Sequence, residues 1–353
     1  MPSPAEATHA PVKAAGALAG NPREEQDPRH ASARDGPRIA VVIPCFNVGA
    51  GVLSVLARIG DEVSVIYVVD DACPLHTGDV VEARCLDNRV RVIRHERNRG
   101  VGGAVMSGYQ AAISDRVDVV VKIDGDGQMA PELLPKFVAP IAVHDADYTK
   151  GNRFYDLANI NRMPAVRILG NAVLSFLSKL STGYWDIFDP TNGYTAIHAR
   201  VLKSLPLDRI SPGYFFETDM LFRMNTVRAV VVDVPMDAVY EGGSSNLRIS
   251  RILGEFMWMH LRNFAKRIFY NYFLRDVSIA SLELVVGTLL LLFGFVFGGY
   301  HWIASAVEGV ATPTGTIVLA AVSVLGGLQF VLSFLNYDIA AVPRRAIHPA
   351  LTD

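Results

Sequence analysis

Residues 119–132 read VVVKIDGDGQMAPE. An apolar run of Val and Ile ends in two aspartates one residue apart, followed by a glutamine and a proline-started polar segment. Such a run is typical of a strand buried on both faces of a parallel sheet. Gly125 and Gly127 let the chain leave that strand in a tight turn. Asp124 and Asp126 then stand at the strand's carboxyl end, where open α/β sheets bind ligands. Two carboxylates and the Gln128 amide oxygen make a hard-oxygen donor set suited to Mg²⁺ or Mn²⁺, with positions left for a diphosphate. A solvated acidic turn accounts for the same residues, so the surroundings decide.

Upstream, IAVVIP (39–44) predicts a strand closed by a proline, and CFNVGAG leads into a helix ending near Gly60. VSVIYVVDDAC (63–73) is a second strand that also finishes on two acids, Asp70 and Asp71. A helical stretch from Asp79 to Leu86, a short strand RVIRH (91–95) and the loop ERNRGVGGA, which opens a helix through Ile113, lead into the strand 117–124. This β-α-β-α-β-α-β order predicts a doubly wound, mostly parallel sheet of Rossmann-like handedness. The loop from Asn98 to Gly103 is not a dinucleotide fingerprint, because its glycine spacing differs and it follows the third strand. Its backbone N–H groups and the helix start behind it suit part of a nucleotide, while a plain glycine-rich turn is the alternative.

Downstream, DYTKGNRF (147–154) reads as a short strand delivering Arg153, and NRMPAVRILGNAVLSFLSKL (161–180) as a helix with Arg167 near its start. WDIFDPTNGYTAI (185–197) puts Asp189, Asn192 and Gly193 in a turn before a strand. PGYFFETDMLFRM (212–224) starts a helix carrying Glu217 and Asp219, and AVVVDVPM (229–236) is the last strand. Acids at i and i+2 do not share a helix face, so only one of the two points into a given cleft. For each, an acid favoured by the helix dipole is the alternative to a catalytic role.

Residues 247–276 mix Arg and Lys with aromatics, and apolar residues recur at three- and four-residue spacing. That is the pattern of amphipathic helices in a membrane interface, with Trp258 and Tyr270 at the boundary; a helix packed on the soluble core is the alternative. Two apolar runs follow, about 279–303 and 316–337, each long enough to cross a hydrocarbon core of roughly 20 residues. Glu283 lies near the start of the first and is expected at the interface or against the partner helix. The connector carries no Lys or Arg, whereas Arg262, Lys266, Arg267 and Arg275 precede the pair and Arg344 and Arg345 follow it. The excess of basic residues on the outer flanks predicts that the catalytic domain and residues 339–353 are cytoplasmic, on a multi-pass protein of the inner (plasma) membrane.

The 353 residues suffice for one large or two ordinary domains. A net charge of −2 gives no electrostatic case for nucleic acid. Cys45, Cys73 and Cys85 lack metal-ligand spacing and are expected as reduced thiols. Residues 1–36 lack an apolar period and predict a disordered tail with no secretory signal.

Seven segments in this order, IPCFN, VVDDAC, NRGVGGA, DGDGQ, GNRF, DPTNGY and FFETD, resemble family 2 glycosyltransferases of the GT-A fold. The similarity is to the membrane-attached polyprenyl-phosphate branch, typified by dolichyl-phosphate mannose synthase, and covers about residues 38–275. It implies a GT-A domain over 37–246, amphipathic juxtamembrane helices over 247–276 and a transmembrane hairpin within 277–338. By this resemblance Pro44, Phe46, Asn47, Asp70 and Asp71 line the nucleoside pocket, with Asn98, Gly100 and Gly125 also at the nucleotide sugar. Asp124, Asp126 and Gln128 hold Mg²⁺ or Mn²⁺, Arg153 and Arg167 receive the acceptor phosphate with Asn171 nearby, and Asp126, Asp189, Glu217 and Asp219 are the catalytic candidates. The implied activity is inverting, metal-dependent transfer of a hexose from a UDP- or GDP-sugar to a polyprenyl phosphate at the cytoplasmic face. Transfer to another lipid or glycan acceptor, and a non-catalytic membrane adaptor, are the rival readings; a processive synthase would carry Q-x-x-R-W and more spans. The chain departs from relatives at Val48, at Gly127, and at Tyr240 and Asn246, where relatives carry basic residues; Arg248 or Arg251 is then expected to serve the diphosphate. The residues leave open whether a homo-oligomer forms.

Overall fold

The structure, a computed structural model, describes residues 36–155, 165–236 and 249–352; side chains at 165–167, 169 and 249–253 lie outside that description. Most of the expected tail, together with Tyr240, Asn246, Arg248 and the side chains of Arg167 and Arg251, therefore falls outside it.

Strands β1 (Ile39–Cys45), β2 (Val63–Asp70), β3 (Val90–Arg94) and β4 (Val119–Lys122) are the parallel half of the sheet. With β5 (Tyr148–Asn152), β6 (Thr195–His198) and β7 (Val231–Pro235) they form one seven-stranded sheet in the order β3-β2-β1-β4-β6-β5-β7. Only β6 runs against its neighbours, so its first residue meets the last residues of β4 and the middle of β5. Alternation along the strands sends successive side chains to opposite layers. Val42, Val120 and Tyr148 pack with α3 (Gly100–Ser114), α6 (Ala199–Lys203) and α7 (Phe216–Val227). Val41, Val119 and Val121 pack with α1 (Val52–Leu56), α2 (Thr77–Arg84) and α4 (Leu134–Ala142).

The proline-started segment after Gln128 thus contains a helix that the sequence reading did not mark. Leu134, Phe137, Val138 and Ile141 are buried at i, i+3, i+4 and i+7, an amphipathic face interrupted in the sequence by Pro135 and Pro140. Pro135 sits in the first turn, where its missing N–H costs nothing.

Helix α5 (Ala165–Thr182) and α7 form the bed for α8 (Ile249–Phe269), which continues through a π-turn (Tyr270–Arg275) to α9 (Ile279–Glu308) and α10 (Thr314–Ala340). These last two helices, 30 and 27 residues long, are apolar and long enough to cross a membrane. Their facing sides are small: a Cβ on Gly327 would lie 2.7 Å from the Leu291 nitrogen, so only glycine permits this approach. Glu283 accepts a 2.7 Å hydrogen bond from Ser333 across the pair.

Two buried polar contacts join this hairpin to the domain. Arg267 of α8 grips Asp338 of α10 through both terminal nitrogens (2.6 and 3.0 Å) and donates to the Leu180 carbonyl of α5. Trp185 and Tyr272 donate to the same carboxylate at 2.9 and 2.5 Å. Beyond α10, the backbone N–H groups of Ile347 and His348 donate to Asp147, which also receives Val230 N–H. The C-terminal end of the hairpin is therefore fastened to α5 and α8 through Asp338 and, just beyond it, to the start of β5 through Asp147.

Removing one partner of a buried ion pair leaves the other charge uncompensated. Arg267→Ala is expected to cost about 3–5 kcal/mol in denaturation of the detergent-solubilised chain. Arg267→Met combined with Asp338→Leu should recover part of that; a loss below about 1 kcal/mol in the single variant contradicts the clamp.

Candidate active site

Lys122 of β4 and Lys150 of β5 both pair in register with Thr195 of β6. The three side chains consequently project from one face of the sheet in a row, toward α3 and α7. Both lysines are buried, at 1% and 0% exposure. A buried ammonium needs partners. Lys122 Nζ lies 2.6 Å from Asp124 Oδ1 and 5.6 Å from the centre of the Phe216 ring. Lys150 Nζ donates to the Asn192 carbonyl. Burial lowers Lys150 to about 8, against the pull of Glu217 and Asp189. Desolvation pushes Glu217, in the first turn of α7, up to about 7, and the charges of Lys122 and Lys150 oppose that rise.

Because β6 is antiparallel, the turn before it folds over the carboxyl end of β4. Gly193 sits against Asp124 so closely that a Cβ there would lie 2.8 Å from Oδ2 and 2.3 Å from Lys122 Nζ. Asp126 Oδ1 accepts the Gln128 N–H at 3.0 Å, and both residues are exposed. Partial desolvation, and then the charge of Asp124, raise the Asp126 carboxyl above its ordinary range. The missing Cβ of Gly193 keeps the approach to Asp124 Oδ2 open. Among the described residues no cluster of three or more His, Cys, Asp or Glu side chains could hold a metal ion. The donor set of this turn fits a hard divalent cation that takes two carboxylates from the protein and the rest of its oxygens from a bound diphosphate and water.

At the end of β2 both acids accept internal hydrogen bonds. Asp70 accepts from Cys73 N–H (2.7 Å) and Gly78 N–H (2.6 Å), which anchors the start of α2. Asp71 accepts from Arg99 N–H (2.8 Å) and contacts His95 (2.6 Å), which is also 2.8 Å from Ser107. Asn98 bonds the Asp71 carbonyl and the Gly100 N–H. Pro44 is buried in β1, whereas Phe46 and Asn47 are exposed just beyond it. A Cβ on Gly125 would lie 3.3 Å from Cys45 Sγ and Ile43 Cγ2 and 3.4 Å from Val48 Cγ1. The glycine-rich loop has a structural duty of its own: a Cβ on Gly102 would lie 2.3 Å from the Ser211 carbonyl and 2.7 Å from Phe216 Cβ. It is what lets the segment carrying Glu217 approach α3.

On the other flank, Arg153 forks the Asp189 carboxylate, Nε to Oδ2 at 2.7 Å and Nη2 to Oδ1 at 3.1 Å. Asp189 is fully buried. Asn171 is half-buried on α5, the helix that also carries Arg167. Asp219 points away from Glu217: it accepts from Ser211 N–H (3.0 Å), Asn263 (3.0 Å) and Arg223 (3.2 Å), a structural junction between α7 and α8. Asp233 of β7 accepts from Asn152 and Phe188 N–H on one oxygen, and burial pushes its carboxyl up to about 6.

Lys122, Lys150 and Asp233 were not singled out by the sequence reading. The signal was present, since a charged residue inside VVVKI or VVVDV implies a buried charge in need of a partner.

A profile of glycosyl transferase family 2 matches residues 40–205. The undecaprenyl-phosphate mannosyltransferase of Micrococcus luteus is 32% identical over 222 residues, 62% of this chain and 90% of that protein. The polyprenol monophosphomannose synthase of Mycolicibacterium smegmatis is 28% identical over 216 residues, 60% of this chain and 80% of that one. Glucosyl-3-phosphoglycerate synthase from Mycobacterium tuberculosis, crystallised with Mn²⁺, UDP and phosphoglyceric acid, shares the fold: TM-score 0.50, 22% identity, 66% of this chain and 79% of that one.

The lysine row makes a pH prediction. Glu217 has a folded-state pKa of about 7 against an ordinary 4.5, so between those values the folded chain binds more protons than the unfolded one. Its contribution to stability is then lost as pH rises through that window. The melting temperature of Glu217→Gln minus that of the parent should rise from pH 4.5 to pH 7; a flat difference contradicts the assignment.

Proposed function

Since this chain belongs to glycosyl transferase family 2 and has the GT-A fold, we propose that it transfers a hexose from a UDP- or GDP-sugar to a polyprenyl phosphate at a membrane surface. The observation that carries this reading is the Asp124–Asp126 turn, set at the carboxyl end of β4 in a domain that Arg267 and Asp338 clamp to a membrane-length hairpin. Relatives named for undecaprenyl phosphate, polyprenol and dolichol phosphate support the acceptor class, and all three are named for mannose. GDP-mannose is therefore the first donor to test.

In this mechanism the nucleotide lies over the ends of β1 and β2, beside Phe46 and Asn47, with Asp70 and Asp71 holding the loops in shape. Asp124 and Asp126 hold a divalent cation, which when bound supplies positive charge to the departing diphosphate. Lys122 fixes the Asp124 carboxylate in place through their 2.6 Å contact. Arg153, oriented by Asp189, receives the acceptor phosphate with Arg167. A phosphate oxygen attacks the anomeric carbon, the bond to the donor diphosphate breaks, and configuration inverts. The phosphate is already ionised near pH 7, so the step needs no strong general base. Glu217 then serves the sugar hydroxyls and the charge balance of the lysine row. The basic residues flanking the hairpin support a cytoplasmic catalytic domain.

Two measurements test this. Turnover of GDP-mannose or UDP-glucose with undecaprenyl phosphate should stop with EDTA and return with Mn²⁺, and Asp126→Ala should lower it about a hundredfold or more; chelator-resistant turnover removes the metal role. Arg153→Ala should raise the acceptor KM about tenfold or more with a smaller change in donor KM. An unchanged acceptor KM overturns the phosphate assignment.

A further inference from the structure

Between α7 and α8 lies a cavity of about 550 Å³ that takes no residue from the donor or acceptor assignments. Its walls carry Arg209, Arg223, Arg262 and Lys266, and Phe269 and Tyr270 form one side. Arg223 is committed to Asp219 (3.2 Å) and to the Arg209 carbonyl. Arg209 has Asp208 only at 4.0 Å, with both side chains more than three-quarters exposed. Arg262 and Lys266, one helical turn apart, make no hydrogen bond or ion pair with any described residue. Four cations thus face one buried carboxylate at Asp219 and one solvated carboxylate at Asp208, an excess that favours an anion.

The aromatic side fixes what kind of anion. Phe269 is 62% exposed, and Leu274 (65%) and Val277 (74%) continue the apolar surface along the π-turn into α9. A free phosphate has no use for that surface. A phospholipid does: its phosphate meets the cations while its acyl chains follow the aromatic side toward the hairpin. We propose that this cavity binds the headgroup of an anionic diacyl phospholipid, a lipid distinct from the acceptor. A lipid there would bridge α7 and α8 beside the Asp219–Asn263 hydrogen bond. It rests on the hairpin lying in a membrane and not on the transfer reaction, so it stands or falls separately from the activity.

The test uses the full chain in detergent, with lipid retention read by native mass spectrometry. Phosphatidylglycerol should be retained in preference to phosphatidylcholine, and less so as salt rises from 50 to 500 mM. Arg262→Gln with Lys266→Gln should weaken retention of phosphatidylglycerol about fivefold for each charge removed. Arg84→Gln with Lys136→Gln, two exposed cations elsewhere on the domain, should leave it unchanged. Melting of the parent and both double variants without lipid should coincide, because the altered side chains are exposed. Equal retention of the two lipids, retention unaffected by the Arg262–Lys266 change, or displacement by millimolar inorganic phosphate as effective as by phosphatidylglycerol overturns the proposal.

Discussion

Two ammonium groups buried in a β-sheet must be paired, and the catalytic end of this protein is arranged around that requirement. Leaving such a charge unmatched costs several kcal/mol. Insertion of β6 against the direction of its neighbours lines up Lys122, Thr195 and Lys150. The pairing then reaches outward in three directions. Asp124 must sit at the end of β4, within 2.6 Å of Lys122. The turn before β6 must present a carbonyl to Lys150 and a glycine to Asp124. Helix α7 must bring Glu217 close, and the glycines opening α3 make room for it. An acidic rim that would otherwise repel a diphosphate is thereby backed by two fixed positive charges.

The same logic, a buried charge with several partners, fastens the domain to its hairpin. Asp338 lies in a helix otherwise suited to lipid, and it accepts from Arg267, Trp185 and Tyr272, which come from two other elements and the loop between α5 and β6. Asp147 does the corresponding work just past α10, gathering the backbone of Ile347 and His348 to the start of β5. The cleft's position relative to the hairpin is therefore set by side chains with little freedom. That suits the proposed transfer to a lipid-borne acceptor.

Much of this was legible in the residues. The Val-rich runs of β1, β2 and β4 mark themselves, as do the Asp124–Asp126 turn and the two apolar spans. What was not legible depends on contacts distant in sequence. Nothing local in DPTNGYTAI announces that β6 will run antiparallel between β4 and β5, so the shared row of Lys122 and Lys150 could not be seen. Asp70, Asp71 and Asp219 look like ligand-binding acids because strand ends and helix starts favour them. In the folded chain each also accepts internal hydrogen bonds that hold the loops and helices around it. The pairing of Arg153 with Asp189 joins two residues named for different tasks, and only the adjacency of the β5 end and the turn before β6 reveals it. Helix α4 was hidden by its prolines although its apolar spacing is regular.

The account stands on one physical claim, that the end of β4 seats a divalent cation together with a nucleoside diphosphate. Electron paramagnetic resonance of Mn²⁺ titrated into the full-length chain, with and without GDP or UDP, reads that directly. The account predicts one Mn²⁺ bound per chain, held far more tightly when the nucleotide is present and lost in Asp124→Asn and Asp126→Asn. Free Mn²⁺ signal that neither nucleotide diminishes, or binding that survives both substitutions, would contradict it.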